Sequence, residues 1–235
     1  MKAWGGSILA GLGALTLGAP AYTHVGVQGP GFAGTNQEIT FTVGHGCEGL
    51  DTQSLRIEIP TAVTSVLAVS STLGKATLER DETDLVTAVK WEQPLTSLSD
   101  RDDVYYKVTL RLRLPNAPFT TLAFPATQTC SSPDGTTTGT AHWTVIDEGD
   151  SHDEHGEVGP APVLKLLPAR VSGWNKYTVP AAVTDLGALF GDAKIVWKGS
   201  AAYSSNALIA GQIANTPGVT ALTALAAGDE IWVNY

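Results

Sequence analysis

Val104-Tyr105-Tyr106-Lys107-Val108-Thr109-Leu110-Arg111-Leu112-Arg113-Leu114 is the stretch that decides the fold class. Every second residue from Val104 is apolar or aromatic, while Lys107, Thr109, Arg111 and Arg113 stand between them. Successive side chains of an extended strand point to opposite faces, so this alternation gives one face to a core and the other to water. The same period of two recurs in Glu38-Ile39-Thr40-Phe41-Thr42-Val43, in Ser54-Leu55-Arg56-Ile57-Glu58-Ile59 and over residues 140–146. Turn signals separate these runs at Gly29-Pro30-Gly31, residues 44–49, Gln93-Pro94, Asn116-Ala117-Pro118 and Ser132-Pro133-Asp134-Gly135. Short alternating strands with frequent turns predict an antiparallel β-sandwich of immunoglobulin-like type over residues 24–147.

The composition changes at residues 148–162, an acidic spacer that holds His152-Asp153-Glu154-His155 and ends in Gly159-Pro160-Ala161-Pro162. Residues 163–235 then read as a small α+β extension. Ala/Leu-rich stretches at 179–190 and 207–214 suggest short helices, and residues 194–197 and 230–233 suggest strands. About 70 residues bury little core on their own, so this unit is expected to dock on the sandwich.

At the other end, Met1-Lys2 supplies positive charge and residues 4–17 are apolar, followed by small residues and Pro20. That is the pattern of a cleavable secretory leader, here residues 1–23. The apolar stretch is short of the roughly 20 residues a spanning helix needs and is interrupted by glycines, so no membrane anchor is expected after cleavage. The 235 residues carry a formal net charge of -9, which disfavours nucleic acid as a partner. The expected location is periplasmic or extracellular. Only Cys47 and Cys130 occur. In an oxidising compartment such a pair favours a disulfide, and its alternative is a reduced thiolate pair for Cu(I).

Leader cleavage creates a free amine, which is a copper ligand. A cut after Thr23 makes His24 the first residue, so that amine and imidazole chelate one ion. A cut after Ala21 leaves Tyr22-Thr23-His24, and a histidine in third position chelates Cu(II) through amine, amides and imidazole in a square plane. Both cuts put His24 where a copper site can form. A solvated histidine at a frayed terminus is the bland alternative.

The order of His24-Val25-Gly26-Val27, Glu38-Ile39-Thr40-Phe41-Thr42-Val43-Gly44-His45-Gly46-Cys47-Glu48-Gly49, Ala88-Val89-Lys90-Trp91, Leu112-Arg113-Leu114-Pro115, residues 122–130 and His142-Trp143-Thr144 resembles the YcnI-like copper-binding domain family. The resemblance implies an exported β-sandwich that holds one Cu(II) in a single-histidine brace, with its gene near those of copper-handling proteins. It implies that His24 gives amine and imidazole, that Glu48 gives a carboxylate oxygen and that Trp143 covers the metal. Partners would be other copper-handling envelope proteins or a copper importer.

The chain departs from the simplest pattern at His45, a candidate further ligand or a hydrogen-bond donor to Glu48, and at His142, which alternation turns away from the face of Trp143. His152 and His155, three apart among carboxylates, form a weaker second candidate metal site, against the alternative of a solvated spacer. No Gly-x-Ser-x-Gly elbow or phosphate loop occurs, so no hydrolase is expected. The expected function is copper delivery, storage or homeostasis without enzymatic activity. The alternatives are a copper-dependent oxidative enzyme of histidine-brace type, which would recruit a second histidine, and a non-metal envelope adhesion or structural module.

Overall fold

The computed structural model describes residues 25–146 and 158–235. Among the described residues, thirteen strands belong to the sandwich region. They are β1 (Val25–Val27), β2 (Gly31–Phe32), β3 (Asn36–Val43), β4 (Asp51–Glu58), β5 (Thr64–Ala68), β6 (Lys75–Arg80), β7 (Val86–Glu92), β8 (Tyr106–Arg113), β9 (Thr121–Ala123), β10 (Ala126–Ser131), β11 (Thr138–Val145), β12 (Val158–Pro160) and β13 (Val163–Leu167). One sheet runs β1-β3-β8-β5 and the facing one β12-β11-β10-β4-β7-β6, while β2-β13-β9 forms a small third sheet. The chain is mainly β, as the alternating runs predict.

The deciding stretch forms β8, which pairs antiparallel with β3 over its whole length. Its alternation becomes burial: Tyr106, Val108, Leu110 and Leu112 are buried, with Leu114 just beyond the strand, whereas Lys107, Arg111 and Arg113 are exposed. They meet Leu55 and Ile57 of β4, Val89 and Trp91 of β7 and Ala141 and Trp143 of β11 in one core. Phe41 and Phe124 pack edge to face in it, with ring centroids 5.2 Å apart. Burial of a large apolar side chain is worth about 1.5–3 kcal/mol, so this double row dominates the stability of the sandwich.

The structure draws the boundary between the parts later than the sequence suggests. Residues 158–162 are read from composition as the end of a spacer, yet β12 lies parallel beside β11, with Trp143 opposite Gly159. Val163 is expected to open the extension, but β13 pairs with β9 and β2, and its Leu164 and Leu166 are wholly buried in the sandwich core. Glycine and proline mark turns on local grounds, and a partner strand many residues away overrides that signal.

The extension adds β14 (Trp174–Thr178), α1 (Leu186–Phe190), β15 (Ile195–Lys198), β16 (Ala201–Tyr203), α2 (Ala207–Asn215), β17 (Thr220–Ala221) and β18 (Glu230–Asn234). Its sheet order is β14-β18-β15-β16-β17. The helix expected over 179–190 is confined to α1, because Val179 packs in the second core and Val183 bridges to Leu225. Asp185 then caps α1 by accepting from the Ala188 N–H. Phe32 and Phe119 of the sandwich pack against this second core, and Arg170 stacks over Phe32 at 4.2 Å, so the extension docks.

Candidate metal centre

Val25 pairs with Val43, and Val43 with Tyr106, so the first residues of β1 and β8 and the last of β3 form one row at one end of the sheet. The loop 44–50 leaves from that row. Gly46 permits its tight path: a Cβ built there would lie 1.7 Å from the Leu50 carbonyl oxygen, so no side chain fits. Cys47 is tied to Cys130 of β10 by a disulfide with Cα atoms 5.7 Å apart, and no free cysteine remains for Cu(I). The Leu50 N–H donates to the Cys47 carbonyl at 2.9 Å, closing a turn whose central residues are Glu48 (φ 53°) and Gly49 (φ 78°). Glycine takes such a φ freely, whereas a glutamate there costs about 1–2 kcal/mol. A strained polar residue at the exposed tip of a clamped loop is a pointer to function.

His45 is half-exposed. Its Nδ1 lies 2.8 Å from the Gly46 carbonyl oxygen and 3.4 Å from an Asp102 carboxylate oxygen, and Asp102 also accepts from the Gly46 N–H. Two acceptors beside Nδ1 assign the proton of the neutral ring to it, which leaves the Nε2 lone pair available. No described residue bonds to Nε2. An imidazole oriented by carbonyl and carboxylate through its other nitrogen is arranged as metal-binding histidines are.

Beneath the loop runs a buried polar network that sequence reasoning did not find. Gln128 of β10, 1% exposed, donates from Nε2 to the His45 carbonyl at 2.9 Å and to the Thr52 hydroxyl at 2.8 Å. The indole N–H of Trp143 donates to its Oε1 at 3.4 Å. Asp51, also 1% exposed, accepts from the Tyr106 hydroxyl at 2.9 Å and from the Ser99 N–H at 2.8 Å. Gln93 donates to the Thr52 carbonyl at 2.7 Å and to the Tyr106 oxygen at 2.9 Å. A signal was present, because Gln128 falls between Ala126 and Cys130 on the inward face of β10. Only the fold supplies the partners, since Asp51 and Tyr106 are 55 residues apart. Filled buried polar networks fix one arrangement of the groups they hold, here the floor of the 44–50 loop.

The network is titratable at its tyrosine. Burial pushes Tyr106 up to about 12, the Asp51 carboxylate adds to the rise and the Gln93 N–H opposes it. A folded state that holds a proton more tightly than the unfolded chain has this stabilisation in full below the ordinary tyrosine value near 10 and loses it as pH climbs through about 12. Urea-unfolding midpoints are therefore expected to fall between pH 10 and 12. Tyr177 and Tyr235 are also raised by burial, so Tyr106→Phe serves as the control. It should cost about 1–3 kcal/mol at pH 7 by removing the hydroxyl that Asp51 and Gln93 bond, and should lessen the alkaline fall. An alkaline profile identical in the two proteins would remove Tyr106 from this role.

Of the residues singled out from sequence, His45, Cys47 and Glu48 share the one loop, and Trp143 connects to it through Gln128. Trp143 is 6% exposed and packs in the sandwich core, while His142, next to it, is exposed on the opposite face. Residues 1–23, read from sequence as a leader, and His24, His152 and His155 lie outside the described residues. Among the described residues no group of three or more His, Cys, Asp or Glu is placed to hold a metal. His45 and the exposed Glu48 place one nitrogen and one oxygen donor on the same loop.

Residues 24–166 match the family described as "Domain of unknown function (DUF1775)". The chain belongs to the DUF1775 family. This is the domain of the YcnI-like family, and its match ends within β13, in keeping with the structural boundary rather than with the acidic spacer. Among the solved structures, the DUF1775 chain is similar to an uncharacterized protein from Nocardia farcinica, described as revealing an immunoglobulin-like fold. That likeness has 24% identity and a TM-score of 0.48, and covers 61% of this chain and 97% of that one. No curated protein matches.

Proposed function

We propose that this DUF1775 chain is exported and that its trimmed N-terminus holds one Cu(II), in copper delivery, storage or homeostasis rather than catalysis. The observation that carries the reading is the pairing of Val25 with Val43. His24 is one peptide bond before Val25, and Gly44, which opens the loop bearing His45 and Glu48, is one peptide bond after Val43. Consecutive Cα atoms are about 3.8 Å apart, which supports a terminus close to the start of the loop.

In this reading the His24 amine and imidazole chelate the ion, and the Glu48 carboxylate offsets its charge. The Trp143 indole limits access of water and oxygen, and His45 is a further nitrogen within the same loop. The disulfide holds the loop, and the metal passes to or from other copper-handling envelope proteins or an importer. A carboxylate ligand makes affinity depend on its charge. Glu48→Gln is therefore expected to weaken Cu(II) about 10–100-fold at pH 7 in a competition titration with a chromophoric chelator, and more at pH 6, where protons compete for amine and imidazole. An unchanged affinity and paramagnetic resonance spectrum would take Glu48 out of the site.

A further inference from the structure

Three tryptophans of the extension stand on one face of its sheet. Trp232 of β18 is directly opposite Trp197 of β15, and Trp174 of β14 is opposite Asn234, two residues along β18 from Trp232. Residues two apart on a strand share a face, so the three indoles run across the three neighbouring strands β14, β18 and β15. Spacings of about 5–8 Å separate such positions. The inner face of the same strands is filled: Val196, Ile231 and Val233 are wholly buried in the second core. The tryptophans point the other way. Trp174 is 55% and Trp232 48% exposed, and Trp197 is partly so. Together they line an open cleft of about 390 Å³.

Exposing two large aromatics to water costs free energy that a purely structural sheet avoids by carrying threonine or lysine there, and clustered exposed apolar surface marks a binding site. The charge around the cleft narrows the ligand. Lys176, opposite Trp232, is held by Glu230 of β18 at 2.7 Å, so the face offers neither an unpaired cation for a phosphate or anionic lipid nor an unpaired carboxylate for an ammonium group. Trp174 stands on the edge strand β14, but Trp232 and Trp197 lie on the interior strands β18 and β15, so a peptide strand added at the edge would leave the other two unused. What suits a row of indoles edged by Asn234 and an internally neutralised ion pair is an elongated neutral ligand. It would have flat C–H faces to stack on the rings and hydroxyls to bond at the rim.

We propose that the β14–β18–β15 face is a saccharide-binding platform for neutral β-linked pyranose chains, independent of the metal centre. The full mature chain should bind cellohexaose or chitohexaose saturably in isothermal titration, and should sediment with insoluble cellulose or chitin. Trp232→Ala, which removes the central ring from an exposed position, should weaken binding at least tenfold without changing the thermal midpoint. Trp174→Ala should weaken it less. Trp174→Ala also covers the case in which Trp232→Ala disturbs the sheet. Absence of binding to every one of these glycans would overturn the proposal. So would tryptophan-dependent binding to phosphatidylcholine/phosphatidylglycerol vesicles or to a decaproline peptide in their place, or a concentration-dependent dimer abolished by Trp232→Ala.

Discussion

His24→Ala is expected to lower the Cu(II) affinity of the mature protein by more than 100-fold. Loss of groups that merely orient a metal ligand typically costs 10–100-fold, and in the proposed site this substitution removes a ligand and opens the chelate ring it would share with the terminal amine. The consequence holds for either cleavage position. With His24 first, the bidentate amine–imidazole grip is lost. With His24 third, the square plane loses the imidazole that closes it. The variant should fold normally, because the sandwich begins its described pairing at Val25. Its far-ultraviolet circular dichroism and thermal midpoint without metal should match the parent. Competition titration reads the affinity, and binding of one equivalent with unchanged strength would refute the assignment of His24.

Removing the disulfide with Cys47→Ala/Cys130→Ala is expected to have the largest effect on stability. The bridge joins residues separated by 83 positions. By the chain-entropy relation, closing such a loop in the unfolded chain is worth roughly 4–5 kcal/mol. Cys130 is wholly buried and Cys47 nearly so, and truncating them removes packing as well. For a chain of this size, that corresponds to a fall of about 10–15 °C in the thermal midpoint. The double variant should also bind Cu(II) less tightly, by less than the loss in His24→Ala, because the turn bearing Glu48 is no longer tied to β10. A midpoint within about 2 °C of the parent would show that loop closure contributes little here.

The contrast between what could and could not be read from the chain has a physical basis. Residues 104–114 and 38–43 are legible because each strand's alternation is local and its burial follows directly: Ile39, Phe41 and Val43 are buried as their positions demand. The disulfide was legible because two cysteines leave one pairing. β12 and β13 were not, since Gly159 and Pro160 argue for a turn while the partner that makes them a strand is β11. α1 is shorter than its composition suggests because Pro180, Val183 and Thr184 precede the Asp185 cap and resist helix, leaving Val183 free to bridge. At the site, His45 and Glu48 could be placed on one loop from sequence. That His45 is held by Asp102, or that Gln128 links its carbonyl to Trp143, depends on contacts across 57, 83 and 15 residues and on which buried polar groups find partners. The tryptophan platform was hidden for the same reason. Trp197 and Trp232 were each assigned to strands, but only the register of β15 and β18 puts them side by side.

The central claim, that a processed N-terminal histidine holds one copper ion, is met most directly by the protein secreted from its own leader. Native intact mass measured before and after addition of one equivalent of Cu(II), with the paramagnetic resonance spectrum of the same sample, answers it. The account predicts a chain beginning at His24 or Tyr22, a mass increase of one copper ion and a tetragonal Cu(II) spectrum with nitrogen hyperfine structure. A chain that retains residues 1–21, or a correctly trimmed chain that stays free of copper, would contradict it.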